Sequence, residues 1–348
     1  MPRREGASRR WSRGGHAIER RPVRVAELVH ETPRAVTLML EPDDGRPFHF
    51  RAGQYLTHCF EIGGQTHKRA FSLSAPEGGR LACTVQMIEG GAVSEHIRSR
   101  LRAGDRYGVI GPTGDFVLDL EATGPLGFVA GGSGITPVMG LIETALAANP
   151  QRPIVLLYTS RDEASIIFHQ RLDALMRRHA SLQVTHVLSQ ADMAWSGARG
   201  RLDAARVAEH FRDLHDATFY LCGPTGLMES AESALSANGV SAANIRHERF
   251  LAAPRQVQRP TAPQQISFQQ SKRQVTQQAG ESILDAGLRE NLGLRFSCTV
   301  GGCGACKVRV VSGAVAHNEP NCLTADERAQ GYVLACSAYA LEPLLIEA

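Results

Sequence analysis

Between residues 22 and 120 the apolar positions fall in short runs separated by turn residues: Val23–Val29, Ala35–Leu40, Tyr55–Phe60 and Leu81–Met87. Runs of this length with no helical period between them predict strands, and together they predict a small antiparallel β-barrel. The rhythm changes at Gly124-Pro125. Leu126–Ala130 reads as a buried strand, Gly131–Pro137 as a tight turn, and Val138–Asn149 as a helix with Val138, Leu141, Ile142, Ala145 and Leu146 on one face. Strand and helix then alternate through Ile154–Tyr158, Ser165–His179, Gln183–Leu188, Ala204–Leu214, Thr218–Cys222 and Gly226–Asn238. Such alternation predicts a doubly wound α/β domain with a parallel sheet, whose ligands lie beyond the carboxyl ends of the strands.

After Phe250 the chain turns to Pro254, Pro260, Pro263 and many glutamines, which reads as an exposed linker. Ile266–Gln270 and Gln274–Gln277 then predict a hairpin, Ser282–Asn291 a helix, and Lys307–Val311 a strand. The expected organisation is a basic disordered tail over 1–20, a barrel over 21–122, an α/β domain over 123–250, a linker over 251–263 and a small sheet-plus-helix domain over 264–348.

Composition narrows the class. A chain of 348 residues with 43% hydrophobic and 21% charged residues is an ordinary soluble globular protein, with no apolar run long enough to span a membrane. The net charge of +3 reflects the crowded arginines of the start, Arg3, Arg4, Arg9, Arg10, Arg13, Arg20, Arg21 and Arg24. No apolar core follows them, so no secretory signal is read there, and a cytoplasmic location is expected. Nor does an aromatic platform or binding motif accompany them, so nucleic acid is not expected as a partner.

The chemistry is concentrated near the end, at Cys298-Thr299-Val300-Gly301-Gly302-Cys303-Gly304-Ala305-Cys306 with a distant Cys336. Cysteines separated by four residues, then two, then a long interval, form the plant-type ligand pattern for a [2Fe-2S] cluster. Each iron takes two protein sulfurs beside its bridging sulfides, so four thiolates are needed. Gly301, Gly302 and Gly304 let the backbone wrap closely and aim N–H groups at sulfur. A zinc site would favour paired knuckles, and only Cys303 and Cys306 form one; a disulfide would imply export. Cys322 falls outside the ligand spacing and is expected to be a bystander, and Cys59 and Cys83 are expected as packed small residues.

Two further motifs point to nucleotides. In the first block Arg69, Phe71 and Ser72 lie along a strand, so charge, ring and hydroxyl can serve one elongated ligand with a phosphate and a flat ring, as in a flavin. Such residues also decorate many strands; Gly91-x-x-Ser94 downstream, which can open a short helix towards a pyrophosphate, favours the flavin. In the second block three strand ends supply a crevice: the Gly131–Pro137 turn, where Thr136 can cap the helix and Pro137 suits its first position; Tyr158-Thr159-Ser160-Arg161; and Cys222-Gly223-Pro224. An acid at the second would grip ribose hydroxyls, whereas Ser160 and Arg161 suit a 2′-phosphate, which favours NADPH over NADH. Arg161 could equally be a surface partner of Asp162 or Glu163.

Arg69-x-Phe71-Ser72, Gly91-x-x-Ser94, Gly131-Gly132-Ser133-Gly134-Ile135-Thr136-Pro137, Cys222-Gly223-Pro224 and the cysteine set, in that order, resemble the ferredoxin-NAD(P)H reductase superfamily with a C-terminal plant-type ferredoxin domain of β-grasp form. The resemblance covers everything after about residue 20 and is similar in domain order to the reductase components of multicomponent oxygenases. It implies that Arg69 holds flavin phosphate, that Phe71 packs on the isoalloxazine, and that Ser72 sits near its N5. Tyrosine usually stands where Phe71 does, so one hydroxyl contact is missing. It further implies that Gly91 and Ser94 hold a pyrophosphate, favouring FAD over FMN, and that Gly132, Thr136 and Pro137 face the nicotinamide nucleotide. Cys222 would lie near the nicotinamide, and Phe250 would cover the flavin.

The implied activity is an NAD(P)H-dependent reductase that passes electrons through flavin and cluster to a separate oxygenase, hydroxylase or desaturase. Hydride is a two-electron donor and the cluster takes one electron at a time, so a flavin is the converter between them. A non-oxygenase acceptor such as a hybrid-cluster protein, and a redox-sensing module without turnover, are the alternatives.

Overall fold

The computed structural model describes residues 19–250, 257 and 259–348. Most of the basic start and most of the expected linker lie outside these residues. Two compact units are formed, one of them spanning Arg21–Phe250 and the other carrying the C-terminal sheets.

The larger unit begins with a six-stranded antiparallel sheet made of β1 (Arg21–Thr32), β2 (Ala35–Pro42), β3 (Tyr55–Ile62), β4 (Gln65–Ser72), β5 (Ala82–Gln86) and β6 (Arg106–Thr113), with helix α1 (Ala92–Ser99) between the last two. Their order is β4-β3-β6-β1-β2-β5, and the sheet curls until its edges meet at a bridge between Leu73 and Cys83. Val25, Leu38, Leu56, Phe60 and Val109 fill the inside, and Cys59 and Cys83 are buried. The hydrophobic pattern missed β6, where Gly108, Gly111 and Pro112 break up the apolar positions, and the polar start of β4 ahead of Arg69. Arg21 and Arg24, grouped in the sequence with the basic start, belong to β1, where they pair with Asp44 and Glu41.

The same unit continues with a parallel sheet: β7 (Leu126–Gly131), α2 (Ile135–Ala148), β8 (Ile154–Ser160), α3 (His169–Arg178), β9 (Leu182–Leu188), β10 (Ala198–Arg199), α4 (Ala204–His210), β11 (Thr218–Cys222), α5 (Thr225–Ala237) and β12 (Ile245–Glu248). The order β10-β9-β8-β7-β11-β12 winds outward from β7 in both directions. Apolar nearly all round, α2 is buried between this sheet and the curled one, in a core that joins Val138, Leu141 and Ile142 to Ala35, Phe116 and Leu118. Two helix starts differ from expectation. A 3₁₀ turn at Gly132–Gly134 carries the chain into α2 three residues early, so Gly134 is its N-cap, and Thr136 and Pro137 sit in its first turn rather than at cap and first position. Proline is tolerated there because its absent N–H is one of the unpaired donors of a helix start. The helix expected from Ser165 begins only at His169, because Asp162 caps a separate 3₁₀ turn and Phe168 adopts a left-handed φ of 64°.

The smaller unit holds β13 (Gln264–Phe268), β14 (Arg273–Gln277), α6 (Ile283–Arg289), β15 (Lys307–Ser312), β16 (Val315–His317), α7 (Ala325–Ala329), β17 (Tyr332–Leu334), β18 (Ala338–Ala340) and β19 (Leu344–Glu347). Five strands pair as β14-β13-β19-β15-β17, and β16 pairs with β18. Ile266, Phe268, Leu284, Leu288, Leu334 and Ile346 form its core beneath α6. Among the described residues no helix is long and apolar enough to cross a membrane.

Candidate functional site

Strand order reverses between β7 and β11, which opens a crevice at their carboxyl ends. Close approach explains the glycines there: a Cβ on Gly134 would stand 2.0 Å from the Cys222 carbonyl oxygen, and one on Gly223 would stand 3.0 Å from the Gly131 nitrogen. Pro224 is the N-cap of α5. On the β8 side Ser160 is buried with its hydroxyl closed off from solvent, while Arg161 is exposed and makes no ion pair among the described residues. The Asp162 carboxylate is taken instead by Ser165, whose N–H and hydroxyl donate to it at 2.9 and 2.5 Å.

One group with no motif of its own in the sequence joins this crevice. Glu248 ends β12, directly beside Cys222 in the parallel register. The hydroxyl of Ser72, at the end of β4, donates to Glu248 Oε2 at 3.0 Å. Burial raises the Glu248 carboxyl to about 8, opposed by the Ser72 hydrogen bond, so it stays protonated at neutral pH. Burial likewise pushes the Cys222 thiol well above its usual value, with Glu248 adding to the effect. A hydroxyl from the curled sheet and a carboxyl and a thiol from the parallel one thus meet, all uncharged at neutral pH. Phe250 follows two residues later and is exposed.

On β4 the side chains of Arg69 and Phe71 stand opposite His58 and Leu56 of β3. Burial lowers the Arg69 guanidinium from its ordinary value, and it donates to the Lys68 carbonyl at 2.7 Å. The half-buried Phe71 ring lies 5.0 Å from the imidazole of His58. That imidazole is fully buried and neutral, with Nδ1 2.9 Å from the Tyr107 hydroxyl, and burial lowers it to about 3. Gly91 is the N-cap of α1 and offers no side-chain cap, and the Ile88 N–H donates to the Ser94 hydroxyl at 2.9 Å to close the preceding loop. A side chain at Gly91 would crowd that loop, standing 3.2 Å from the Ile88 carbonyl oxygen. A half-buried cation held by a backbone carbonyl, a backed ring and an uncapped helix start fit a flavin carrying a pyrophosphate.

In the smaller unit the segment from Cys298 to Cys306 folds back on itself through left-handed backbone at Thr299, Gly301 and Gly304. Gly302 and Val300 aim N–H groups at Cys298 Sγ, at 3.2 and 3.5 Å, and the Cys298 N–H points to Cys303 Sγ at 3.5 Å. Cys336 arrives on a 3₁₀ turn after β17, where the Ala335 N–H holds the Cys306 carbonyl at 3.0 Å. Its thiol reaches both Cys298 and Cys306. Hydrogen bonds from Cys303 and Cys336 lower Cys298 well below the usual thiol range, while their own thiols are raised. No three histidine, cysteine or carboxylate side chains among the described residues are placed to close on a single ion. Thiols that pair while backbone amides face sulfur fit a two-iron cluster. Cys322 is not remote from them: its N–H donates to the Gly301 carbonyl at 3.1 Å, and burial and then Cys298 and Cys306 push its thiol up to about 11.

Residues 22–118 match the oxidoreductase FAD-binding domain family, residues 128–233 the oxidoreductase NAD-binding domain family, and residues 266–341 the 2Fe-2S iron-sulfur cluster binding domain family. Over 336 residues the chain is 33% identical to one of the subunits of the 1,2-phenylacetyl-CoA epoxidase of Escherichia coli (strain K12), covering 91% of this chain and 94% of that protein. The chain belongs to the ferredoxin-NAD(P)H reductase superfamily. Within it the reductase is 27% identical over 360 residues to the glycine betaine monooxygenase reductase subunit of Chromohalobacter salexigens, covering 97% of this chain and 96% of that one. Its fold is that of phthalate dioxygenase reductase, with a TM-score of 0.66 at 24% identity over 94% of this chain and 98% of that structure. The reductase is therefore an oxidoreductase with FAD, NAD(P)H and [2Fe-2S] sites in one chain.

Proposed function

We propose that this reductase oxidises NADPH in preference to NADH and delivers the electrons singly to a separate oxygenase, hydroxylase or desaturase component. One observation carries the proposal: a crevice lined by Ser72, Cys222 and Glu248, and a loop of three cysteines met by a fourth, Cys336, occur in the same chain. Bound FAD supplies hydride acceptance and one-electron release, and the cluster supplies one-electron transfer.

The residues have separate tasks. Arg69, Phe71, Gly91 and Ser94 bind and orient the flavin; Gly132, Thr136, Pro137, Gly223 and Pro224 receive the coenzyme; and Arg161 reads its 2′-phosphate. The protonated Glu248, hydrogen-bonded to Ser72, keeps a neutral proton-bearing group beside the hydride path, where a carboxylate would repel electron density. Cys298, Cys303, Cys306 and Cys336 hold the irons. Relatives named as monooxygenase reductase subunits support an oxygenase partner.

The test uses the purified wild type and Cys336→Ser. The wild type should contain one FAD and one [2Fe-2S] cluster by flavin extraction and by iron and sulfide assay. In the variant the cluster should be lost or perturbed, NADPH should still bleach the flavin in rapid mixing, and turnover of the oxygenase partner should collapse. Normal partner turnover in a variant without its cluster would sink the proposed route.

A further inference from the structure

The coenzyme crevice is held by a buried residue that opens the Tyr158-Thr159-Ser160-Arg161 strand end. Tyr158, on β8, is fully buried in the core. Its hydroxyl donates to the carbonyl of Gly132 at 3.1 Å and accepts the N–H of Ile167 at 3.3 Å, so both its functions as donor and acceptor are used. Burial pushes the phenol up to about 12, so it keeps its proton at every working pH. Gly132 is the residue of the glycine-rich turn in left-handed backbone, with φ of 53°. A trans peptide is planar with its carbonyl and the next N–H on opposite sides. A Gly132 carbonyl turned in to Tyr158 therefore sends the Ser133 N–H away from the core, on the side where a pyrophosphate would sit beyond the strand ends.

The second bond anchors the other wall. Ile167 precedes Phe168, a buried aromatic residue in left-handed backbone that unassisted L-residues avoid. The N–H that Tyr158 accepts is thus in the segment that must hold this turn, and beyond it Arg171 of α3 pairs with Glu143 of α2. One hydroxyl ties the glycine turn to the end of the Arg161–Phe168 segment.

We propose that Tyr158 is a positioning residue for the coenzyme: it fixes the Gly132–Ser133 peptide so that the Ser133 N–H serves the pyrophosphate of NADPH. The inference rests on the coenzyme site proposed above. Wild-type binding of NADP⁺ tests that site, and only the ratio of variant to wild type tests Tyr158.

The experiment uses the holoenzyme and Tyr158→Phe, which keeps the ring and removes the hydroxyl. With ferricyanide as acceptor, KM for NADPH should rise about fivefold, the equivalent of about 1 kcal/mol for one hydrogen bond, while kcat stays within about twofold. NADP⁺ should bind correspondingly more weakly. Adenosine 2′-monophosphate, which has no pyrophosphate, should bind as to the wild type, and the flavin and cluster absorbance should be unchanged. Gly132→Ala perturbs the same peptide from the other end, without entering the core: the added Cβ has room, 3.6 Å from Gln86 Oε1, but the left-handed backbone is disfavoured. It should raise KM in the same way, so the proposal stays testable if Tyr158→Phe does not fold. Unchanged KM in whichever variants fold, a fall in kcat at constant KM, or equal weakening of NADP⁺ and adenosine 2′-monophosphate would each overturn it.

Discussion

Replacing Glu248 by glutamine removes a titration while keeping an acceptor for Ser72, so the two proteins should diverge with pH in a defined direction. The wild-type carboxyl is raised from 4.5 to about 8 by burial. A raised acid binds its proton more tightly in the folded state, so its stabilising contribution is whole below 4.5, falls as pH rises through the window to about 8, and is constant above that. At about 1.4 kcal/mol per pH unit, the two units between pH 6 and 8 cost the wild type at most about 2.7 kcal/mol that the glutamine variant does not lose. Part of the residue remains exposed, and solvent screening reduces the expected difference to about 2 kcal/mol. For a unit of this size that is about 4 to 8 °C. Release of flavin fluorescence on heating follows this unit without interference from the cluster domain, and Tm of both proteins would be read at pH 6 and pH 9. The variant should gain on the wild type by that margin at pH 9. Parallel Tm values across the range would show that the Glu248 carboxyl is ionised at neutral pH and that its assignment as a proton-bearing neighbour of the hydride path is wrong.

Other substitutions separate the walls of the crevice. Arg161→Ala should weaken NADPH more than NADH by about 1 to 3 kcal/mol if a charge-assisted phosphate contact is lost; equal effects on KM for the two coenzymes would show that Arg161 does not read the 2′-phosphate. Gly134→Ala places a Cβ 2.0 Å from the Cys222 carbonyl, which only backbone movement can relieve, so coenzyme binding should drop at least tenfold with the cluster spectrum intact. Retained wild-type KM would show that β7 and β11 can separate without cost to the site.

What the sequence made legible was whatever depends on local spacing. The strand at Thr218–Cys222, the glycines at the β7 turn and the cysteine intervals are read within a few residues, and each has a local physical cause in burial, backbone freedom or ligand count. The helix starts were misread for a different reason. Pro137 and Thr136 are typical of first position and cap, but the 3₁₀ turn at Gly132–Gly134 pre-empts both, and nothing in the local pattern announces that turn. β6 and the start of β4 escaped because glycines and a proline interrupt the first and half-exposed polar residues make up the second, so neither alternates cleanly.

Glu248 and Tyr158 mark the limit of local reading most clearly. Glu248 stands in His247-Glu248-Arg249-Phe250, a polar run that reads as surface; only pairing with Cys222 and the approach of Ser72, 176 positions earlier, take its carboxyl out of water. Tyr158 reads as one more apolar residue of a buried strand, and its hydroxyl gains a role only because the turn at Gly132 comes back over it. In both cases the decisive partner lies at a distance in sequence that the fold alone closes. A family motif names the residues that touch a ligand, whereas these two act on the proton and on the peptide behind the contact. They are therefore the positions where variants should alter pH dependence and coenzyme KM without altering cofactor content.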